Sequence, residues 1–280
     1  MLSSCSKVVE FPVPTAEPRN VVNVILTADS SLGGYLYETS SILSNDSAKP
    51  IANASMLIKN QQGLQVAYQL LGKDGAYFSS NTAQTHNCYH VEFNSGYGVS
   101  KGTTCIPNKP IISIVDSTII KQLNDTTFDL NITIEDTSST IKNFYRISCL
   151  AYEIESIKVN INGMIDTNYG WVTKVLNTRS FNYLINEYNY TNTGYLLRDD
   201  KFNGNSALLN FTFSISGTRK FKFRVDAIDE NLFEYYRTST AQQFVQNDPN
   251  AHYINVFSNI SNGYGIVGSK NSWEFSYTNN

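Results

Sequence analysis

The pattern of apolar and polar residues predicts a mostly β protein. Short runs rich in β-branched and aromatic residues recur along the chain, separated by Gly, Asn, Asp and Pro. The β-branched run Val21–Thr27 is typical of a buried strand, and Thr127–Glu135 alternates apolar with polar residues, as in a strand buried on one face. Six or seven such strands before residue 107 predict an immunoglobulin-like β-sandwich. The rest of the chain predicts a larger antiparallel β-sandwich or barrel-like domain.

Turn residues predict two hairpins in the first part of the chain. Gly-Lys-Asp-Gly at 72–75 separates two short strand patterns and predicts a hairpin between them. Asn-Ser-Gly at 94–96 predicts a second hairpin between Cys88–Phe93 and Val99–Ile106.

Proline residues suggest where the chain divides. Pro107 and Pro110 interrupt the strand pattern, and 280 residues are enough for two domains. We therefore predict three parts: residues 1–18 as anchor, spacer and first strand, residues 19–107 as the immunoglobulin-like sandwich, and residues 108–280 as the C-terminal antiparallel β domain.

One segment has a helical period instead of a strand period. Asp229 is a suitable N-cap for a short helix over residues 230–246, and Asp248-Pro249 would end it. Four side chains fall on one predicted face of this helix: Phe233, Tyr236, Thr240 and Phe244.

Composition narrows the function classes. Charged residues make up only 16% of the chain, the net charge is −3 and the basic residues do not cluster, so nucleic acid is not an expected partner. No apolar run approaches the roughly 20 residues of a membrane-spanning helix. The sequence contains no Gly-x-Ser-x-Gly motif and no phosphate-binding loop. We therefore expect neither enzymatic activity nor a cofactor.

The first five residues match a lipid-attachment pattern. In Met1-Leu2-Ser3-Ser4-Cys5, a leucine and two small residues precede the cysteine, as bacterial lipoprotein processing requires. We interpret Met1 as a trimmed start and Cys5 as the lipidated N-terminus of an exported protein. The alternative is a surface cysteine in an unstructured tail.

A second group of residues offers two alternatives. His86, Cys88 and His90 alternate and would share one face of a strand, while Cys105 lies across the predicted hairpin. One alternative is a metal site of His86 or His90 with both cysteines. The other is a Cys88–Cys105 disulfide, which an oxidising compartment favours and which we prefer.

An aromatic group is the main candidate for ligand binding. Residues 165–205 are rich in Asn and Tyr with weak periodicity, which predicts a long loop region. Its rings could bind a ligand or a protein partner, or could simply pack on a sheet. They are Tyr169, Trp171, Tyr183, Tyr188, Tyr190 and Tyr195.

Four carboxylates are candidates for a metal site or for acid–base chemistry. Asp199 and Asp200, and likewise Asp226 and Asp229, could bind Ca²⁺ or act as an acid–base pair. Turn formation and helix capping are the simpler explanations.

Several segments resemble one known family. The resemblance is strongest in the Gly-rich C-terminal stretch, with Tyr264 and Val267 replacing the family's usual Leu and Phe. The segments are Val8-Val9-Glu10, Ile106-Pro107, Asp199-Asp200-Lys201-Phe202-Asn203-Gly204, Val225-Asp226-Ala227-Ile228, Phe233-Glu234-Tyr235-Tyr236, Asn247-Asp248-Pro249 and Phe257-Ser258-Asn259-Ile260-Ser261-Asn262-Gly263-Tyr264-Gly265-Ile266-Val267-Gly268. The family that they resemble is the Bacteroidota lipoprotein family known as domain of unknown function 4249.

The resemblance implies a location and a role. It implies a lipoprotein anchored in the outer membrane through Cys5, exposed at the cell surface or at the periplasmic face. Such a protein would help a TonB-dependent transporter to capture a nutrient or cofactor, binding an unknown small molecule, peptide or glycan. The alternative is a structural or adhesive surface protein that binds a protein or glycan.

Overall fold

The computed structural model describes residues 17–40, 48–70, 72–121, 126–161, 164–174, 194–214, 220–245, 252 and 254–278. Within these ranges the chain forms β-strands, one 3₁₀ turn at Asp199–Lys201 and one α-helix. The prediction of a mostly β, sandwich-type fold with one short helix is confirmed. Cys5 and the rest of residues 1–16 lie outside the described residues.

Eight strands come from the first part of the chain, before Pro107. They are β1 Asn20–Thr27, β2 Ser31–Glu38, β3 Lys49–Pro50, β4 Ser55–Asn60, β5 Gln65–Leu70, β6 Ala76–Thr82, β7 Cys88–Ser95 and β8 Gly98–Cys105. The remaining elements follow it. They are β9 Ile111–Lys121, β10 Thr126–Glu135, β11 Phe144–Ile161, β12 Met164–Lys174, β13 Tyr195–Arg198, β14 Ser206–Ser214, β15 Lys220–Ile228, helix α1 Glu230–Val245 and β16 Tyr264–Thr278.

The described strands form one large sheet and two small ones. The large sheet has nine strands in the order β12-β11-β15-β16-β1-β2-β3, with β13 also paired to β11 and β6 to β2. One small sheet has the order β5-β4-β7-β8, and the other has the order β14-β10-β9. Each small sheet comes from one part of the chain, whereas the large sheet takes strands from both.

Strand β16 joins the two parts of the chain. Its first half pairs in parallel with β1, from Val21 opposite Tyr264 to Thr27 opposite Lys270. Its second half, from Lys270 onward, pairs antiparallel with β15. The division at residue 107 stays a prediction, but backbone hydrogen bonding runs without a break across the two predicted domains.

Both small sheets pack on the same face of the large sheet. Side chains alternate along β16, and Val267 belongs to the core of the first part while Trp273 and Phe275 pack against the core of the second. Ile266 points to the opposite face, where it meets Phe233 of α1. The two small sheets therefore cover one face of the large sheet and form a sandwich with it at each end, while the helix covers the other face.

An asparagine takes the place of a neighbouring strand where β16 has none. β15 begins its pairing with β16 only at Lys270, so the edge of β16 at Val267 is not covered by it. The Asn259 amide donates to the Val267 carbonyl oxygen at 2.8 Å, and its Oδ1 accepts from the Val267 N–H at 2.9 Å. The side chain thereby satisfies both backbone groups, as a paired strand would.

Two local predictions need correction. The turn predicted around residues 72–75 is present, because Asp74 and Gly75 have positive φ and Lys73 and Ala76 exchange both backbone hydrogen bonds. The predicted pairing of the strands on either side of it is wrong, since β5 pairs with β4 and β6 pairs with β2. The predicted helix face is also only partly right, because the buried positions of α1 are Leu232, Phe233 and Thr238, while Phe244 is exposed. The sheet buries only the first half of the helix.

Asp229 connects the helix to both β8 and β16. Its Oδ1 accepts from the Leu232 N–H, which is the predicted N-cap bond, and from the Ser269 N–H of β16, both at 3.1 Å. Its Oδ2 accepts from the Thr104 hydroxyl of β8 at 2.8 Å. Burial raises the pKa of Asp229, although these hydrogen bonds act in the opposite direction.

We predict that Gly265→Ala destabilises the protein by about 2–5 kcal/mol. Gly265 has a φ of 104°, and an added Cβ would lie 2.0 Å from the Val22 carbonyl oxygen of β1. The matched control is Gly96→Ala, because nothing lies within 4 Å of a Cβ at Gly96. Urea unfolding measures both free energies, and an equal loss in the two variants would contradict the β1–β16 pairing.

We predict that Asp229→Ala lowers the free energy of unfolding by about 2–4 kcal/mol, because it removes an N-cap and leaves the Ser269 N–H and the Thr104 hydroxyl without their acceptor. Asp229→Asn keeps an acceptor for both N–H groups and can donate to Thr104, so its cost should be below about 1 kcal/mol. Equal losses would show that these contacts do not stabilise the helix start.

We also predict that the stability of wild type and that of Asp229→Asn depend differently on pH. The pKa of Asp229 is raised in the folded state, so the stability that its neutral form contributes is present at acid pH and is lost as the pH rises through that pKa. Wild type should therefore gain stability relative to Asp229→Asn between about pH 7 and about pH 4. A difference in unfolding free energy that stays constant over this range would contradict the burial of the carboxylate.

Candidate functional site

Cys88 and Cys105 form a disulfide bond across the β7–β8 hairpin. They are directly paired, with Cα atoms 3.9 Å apart. His86 precedes β7 in a left-handed conformation with φ 65°, and His90 is exposed. Both sulfur atoms belong to the bond, so neither is a thiolate ligand, and no three His, Cys, Asp or Glu side chains in the described residues are placed to hold a metal. The alternative metal site is therefore not assembled.

The aromatic candidates do not form one loop. Residues 164–174 are part of strand β12, where Tyr169 pairs with Ile154 and Trp171 with Tyr152. The prediction of a loop throughout 165–205 is wrong for this segment. Residues 175–193, which contain Tyr183, Tyr188 and Tyr190, lie outside the described residues.

Tyr195 is a core residue and not part of an exposed platform. It begins β13, pairs with Ile147 of β11 and is only 5% exposed. Its ring lies on the face that the small sheet β14-β10-β9 covers, together with Leu197 and Ile147. The prediction that Tyr195 is a binding ring is therefore wrong for this residue.

Two buried carboxylates are joined through one asparagine, and we call this group the Asp136–Asp199 cluster. The Asn143 side-chain amide donates to Asp136 Oδ1 and to Asp199 Oδ2, each at 3.0 Å, and the Asn143 N–H also donates to Asp199 Oδ2. The Gly204 N–H donates to Asp136 Oδ2 at 2.6 Å. The hydrogen bonds of this cluster therefore connect the turn after β10 to the turn after β13.

Burial dominates the electrostatics of this cluster. Desolvation raises the pKa of Asp199 most, the bonds from Asn143 lower it, and the charges of Asp136 and Asp200 raise it further. Burial, followed by the charges of Asp136 and Asp199, also raises the pKa of Tyr145. Asp200 is different, because it is about half exposed and pairs with Arg198 at 3.2 Å.

A cavity of about 420 Å³ lies beside the cluster, where the two parts of the chain meet. It is lined by acidic and basic side chains, by amide side chains and by the phenol ring of one tyrosine. The lining residues include Asp29, His86, Lys109, Asp136, Tyr145 and Asn271. This arrangement suits a small polar ligand, but the described residues bring no nucleophile–base pair into it.

Charged residues also gather on the helix side of the large sheet. Asp226 is fully buried between β11 and β16, where it accepts from Ser272 and lies 3.8 Å from Lys270 Nζ. Arg146 stacks over the Tyr236 ring at 4.9 Å. Burial lowers the pKa of Lys270 against the attraction of Asp226. Of these contacts, the one between Arg146 and Tyr236 joins α1 to the sheet.

Further along the same face, one carboxylate is shared by two cations. Glu274 on β16 bonds both Lys222 and Arg224 of β15, at 3.3 Å and 2.8 Å. Burial alone would raise the pKa of Glu274, but the two cations lower it.

Strand β9 is the most unusual surface feature. Ten of its eleven residues are exposed, and in the described part of the chain no strand pairs with its outer edge. The register shifts opposite Asn131 and Ile132, which leaves Val115 without a partner on β10. Five apolar side chains are between 37% and 59% exposed: Ile111, Ile114, Val115, Ile119 and Ile120.

Sequence reasoning did not identify this edge or the Asp136–Asp199 cluster. A continuous run such as Ile111-Ile112-Ser113-Ile114-Val115 is more typical of a buried strand, so its exposure had no local signal. Asp136 and Asn143 are far from Asp199 in sequence, and only the pairing of β11 with β13 brings them together.

No helix in the described ranges has the length and apolar character needed to cross a membrane. Among solved structures, trypsin-activated alpha-2-macroglobulin from Escherichia coli is 7% identical with a TM-score of 0.24, and the match covers 76% of this chain but 15% of that one. A cytokine receptor complex is 13% identical with a TM-score of 0.22, covering 74% and 82%. Similarity at this level supports no functional argument.

No curated protein sequence matches the chain. A family model, described as domain of unknown function 4249, matches residues 6–275. Since this match covers nearly all of the chain, the protein belongs to the family of domain of unknown function 4249.

Proposed function

We propose that this protein is a non-enzymatic lipoprotein of the outer membrane that assists a TonB-dependent transporter in capturing a nutrient or cofactor. Cys5 would carry the lipid anchor. The observation that carries the proposal is the apolar outer edge of strand β9, which no strand in the described ranges covers, because it provides a surface for a protein partner.

The edge of β9 defines the kind of partner. An exposed edge presents a row of unpaired N–H and C=O groups, and an extended strand satisfies them in sequence. The apolar side chains beside this edge would lose their exposure at the same time. The proposed occupant is therefore an extended segment of the transporter that adds a strand to the sheet β14-β10-β9.

The chain limits non-specific pairing at this edge. The bulge at Val115 disturbs the regular ladder, and Asp116 and Lys121 place charges along the strand. A partner segment must match both features, which gives the contact specificity as well as affinity.

We predict that Val115→Lys reduces recovery of the transporter with the protein at least about tenfold, because a lysine on an edge strand opposes strand addition. The matched control is Ile141→Lys, since Ile141 in a loop has the same 59% exposure as Val115. Both variants are purified from native membranes under mild detergent, and the β-barrel partner is quantified by mass spectrometry.

Recovery of a stoichiometric transporter with wild type and with Ile141→Lys, but not with Val115→Lys, supports the proposal. Two results would contradict it. One is the same recovery with both variants, and the other is absence of any transporter from the wild-type preparation.

The anchor gives a separate prediction. Cys5→Ala removes the thiol that would carry the lipid, so the protein should move from the membrane fraction to the soluble exported fraction. The disulfide partners are unchanged by this substitution, and Cys149→Ala serves as a control that keeps Cys5. Immunoblots of the separated fractions measure the distribution, and Cys5→Ala protein that stays with membranes would disprove the lipid anchor.

A second candidate function is adhesion to a glycan. A cleft of about 570 Å³ beside β4–β7 is lined mainly by amide and hydroxyl side chains, including Asn60, Asn81, Gln84 and Asn87. Neutral hydrogen-bonding groups of this kind suit the hydroxyl groups of a sugar. Binding of an oligosaccharide that Asn87→Leu abolishes would favour adhesion.

A further inference from the structure

The turn at residues 199–205 contains two buried side-chain oxygens that accept no hydrogen bond from the residues that the structure describes. They are Asp199 Oδ1 and Asn203 Oδ1. Asp199 as a whole is only 1% exposed. Buried acceptors are normally satisfied, so two unsatisfied oxygens four residues apart need a physical explanation.

The bonds around them fix both side chains in place. Asn143 holds the other carboxylate oxygen of Asp199, and the Asn203 amide nitrogen donates to the Ser139 carbonyl oxygen at 3.0 Å. With these groups occupied, Asp199 Oδ1 and Asn203 Oδ1 are the acceptors that remain. Within the described residues, both oxygens therefore remain available to accept from, or coordinate, a group that these bonds do not supply.

The site also carries uncompensated negative charge. Asp136 Oδ1 and Asp199 Oδ2 are each 3.0 Å from the same nitrogen of Asn143, so these oxygens lie no more than 6.0 Å apart. Within the described ranges, neither carboxylate forms an ion pair, since Arg198 pairs with Asp200. Two desolvated like charges without a cation repel each other.

We propose that Asp199 and Asn203, with the charge of Asp136, bind a Ca²⁺ ion in this turn. Carboxylate and amide oxygens are the ligands that this hard cation prefers, and His and thiolate ligands are not part of the site. Because no three acidic, His or Cys side chains converge in the described residues, backbone carbonyl and water oxygens would complete the coordination.

A bound Ca²⁺ would have a structural effect. The turn after β13 and the turn after β10 meet at Asp136, Asn143 and Gly204, beside the cavity between the two parts of the chain. The ion would fix the wall of that cavity. This inference goes beyond the proposed function and does not depend on the transporter.

The competing explanation is a proton on Asp199. The raised pKa of this carboxyl shows that burial disfavours its charged form, and a protonated Oδ1 would donate a hydrogen bond instead of accepting one. The two explanations differ in what stabilises the protein. Calcium stabilises it at neutral pH if the ion is bound, whereas acid stabilises it if the proton is bound.

The test measures calcium binding to the purified chain after EGTA treatment. CaCl₂ is titrated by calorimetry, and thermal unfolding is followed with and without millimolar Ca²⁺. Wild type should bind one ion and gain about 5 °C or more in Tm. Mg²⁺ at the same concentration should give a smaller shift, because it demands stricter octahedral geometry.

Two variants locate the ion, and a third controls for charge. Asp199→Asn and Asn203→Ala should each weaken Ca²⁺ binding at least about tenfold and lose the shift. Asp200→Asn removes one negative charge from the same turn, as Asp199→Asn does. The Asp200 carboxylate is exposed and paired with Arg198, so the Tm shift with Ca²⁺ should remain in this variant. Far-UV circular dichroism verifies that each variant is folded.

The proposal is overturned if Ca²⁺ does not raise the Tm of wild type. It is equally overturned if Asp199→Asn and wild type gain the same shift. A higher Tm of Asp199→Asn without calcium, together with no calcium response in wild type, would assign the unsatisfied oxygen to a proton.

Discussion

The fold depends on the parallel pairing of β1 with β16. Seven residue pairs, from Val21 with Tyr264 to Thr27 with Lys270, connect the beginning of the described chain to its end. Through this ladder the strands of the first part and those of the second form one nine-stranded sheet. Gly265 allows the close approach, since a side chain there would meet the Val22 carbonyl. Without the ladder, each small sheet would pack on only half of the large one.

The other features are positioned by this shared sheet. Asp229 fixes α1 to β16 and β8 at once, so the helix contacts both parts of the chain. The cavity beside the Asp136–Asp199 cluster lies where the two parts meet. The small sheet β14-β10-β9 packs one face on the large sheet, and its outer strand β9 pairs with no further strand among the residues that the structure describes. One shared sheet therefore positions both the polar cavity and the exposed strand β9.

Local patterns predicted the elements better than their partners. The alternation in Thr127–Glu135, the turn at 94–96 and the N-cap at Asp229 depend on neighbouring residues, and the structure contains each of them. The predicted pairing of β5 with β6 across the turn at 72–75 is wrong, because β5 pairs with β4 and β6 pairs with β2 in a different sheet. Tyr195 was assigned to a loop because a four-residue strand has too little periodicity to be recognised. Pairing between β1 and β16, and the cluster of Asp136 with Asp199, have no signal in a single sequence.

Native-state hydrogen exchange of the full chain tests the shared sheet most directly. Amides in Val21–Thr27 and Tyr264–Lys270 should exchange only with global unfolding, with the same opening free energy as the core strand Lys220–Ile228. Peptide-resolved mass spectrometry over a range of low denaturant concentrations gives these free energies. Distinctly lower protection of β1 or of the first half of β16 would show that the two parts of the chain open independently, and would contradict the account.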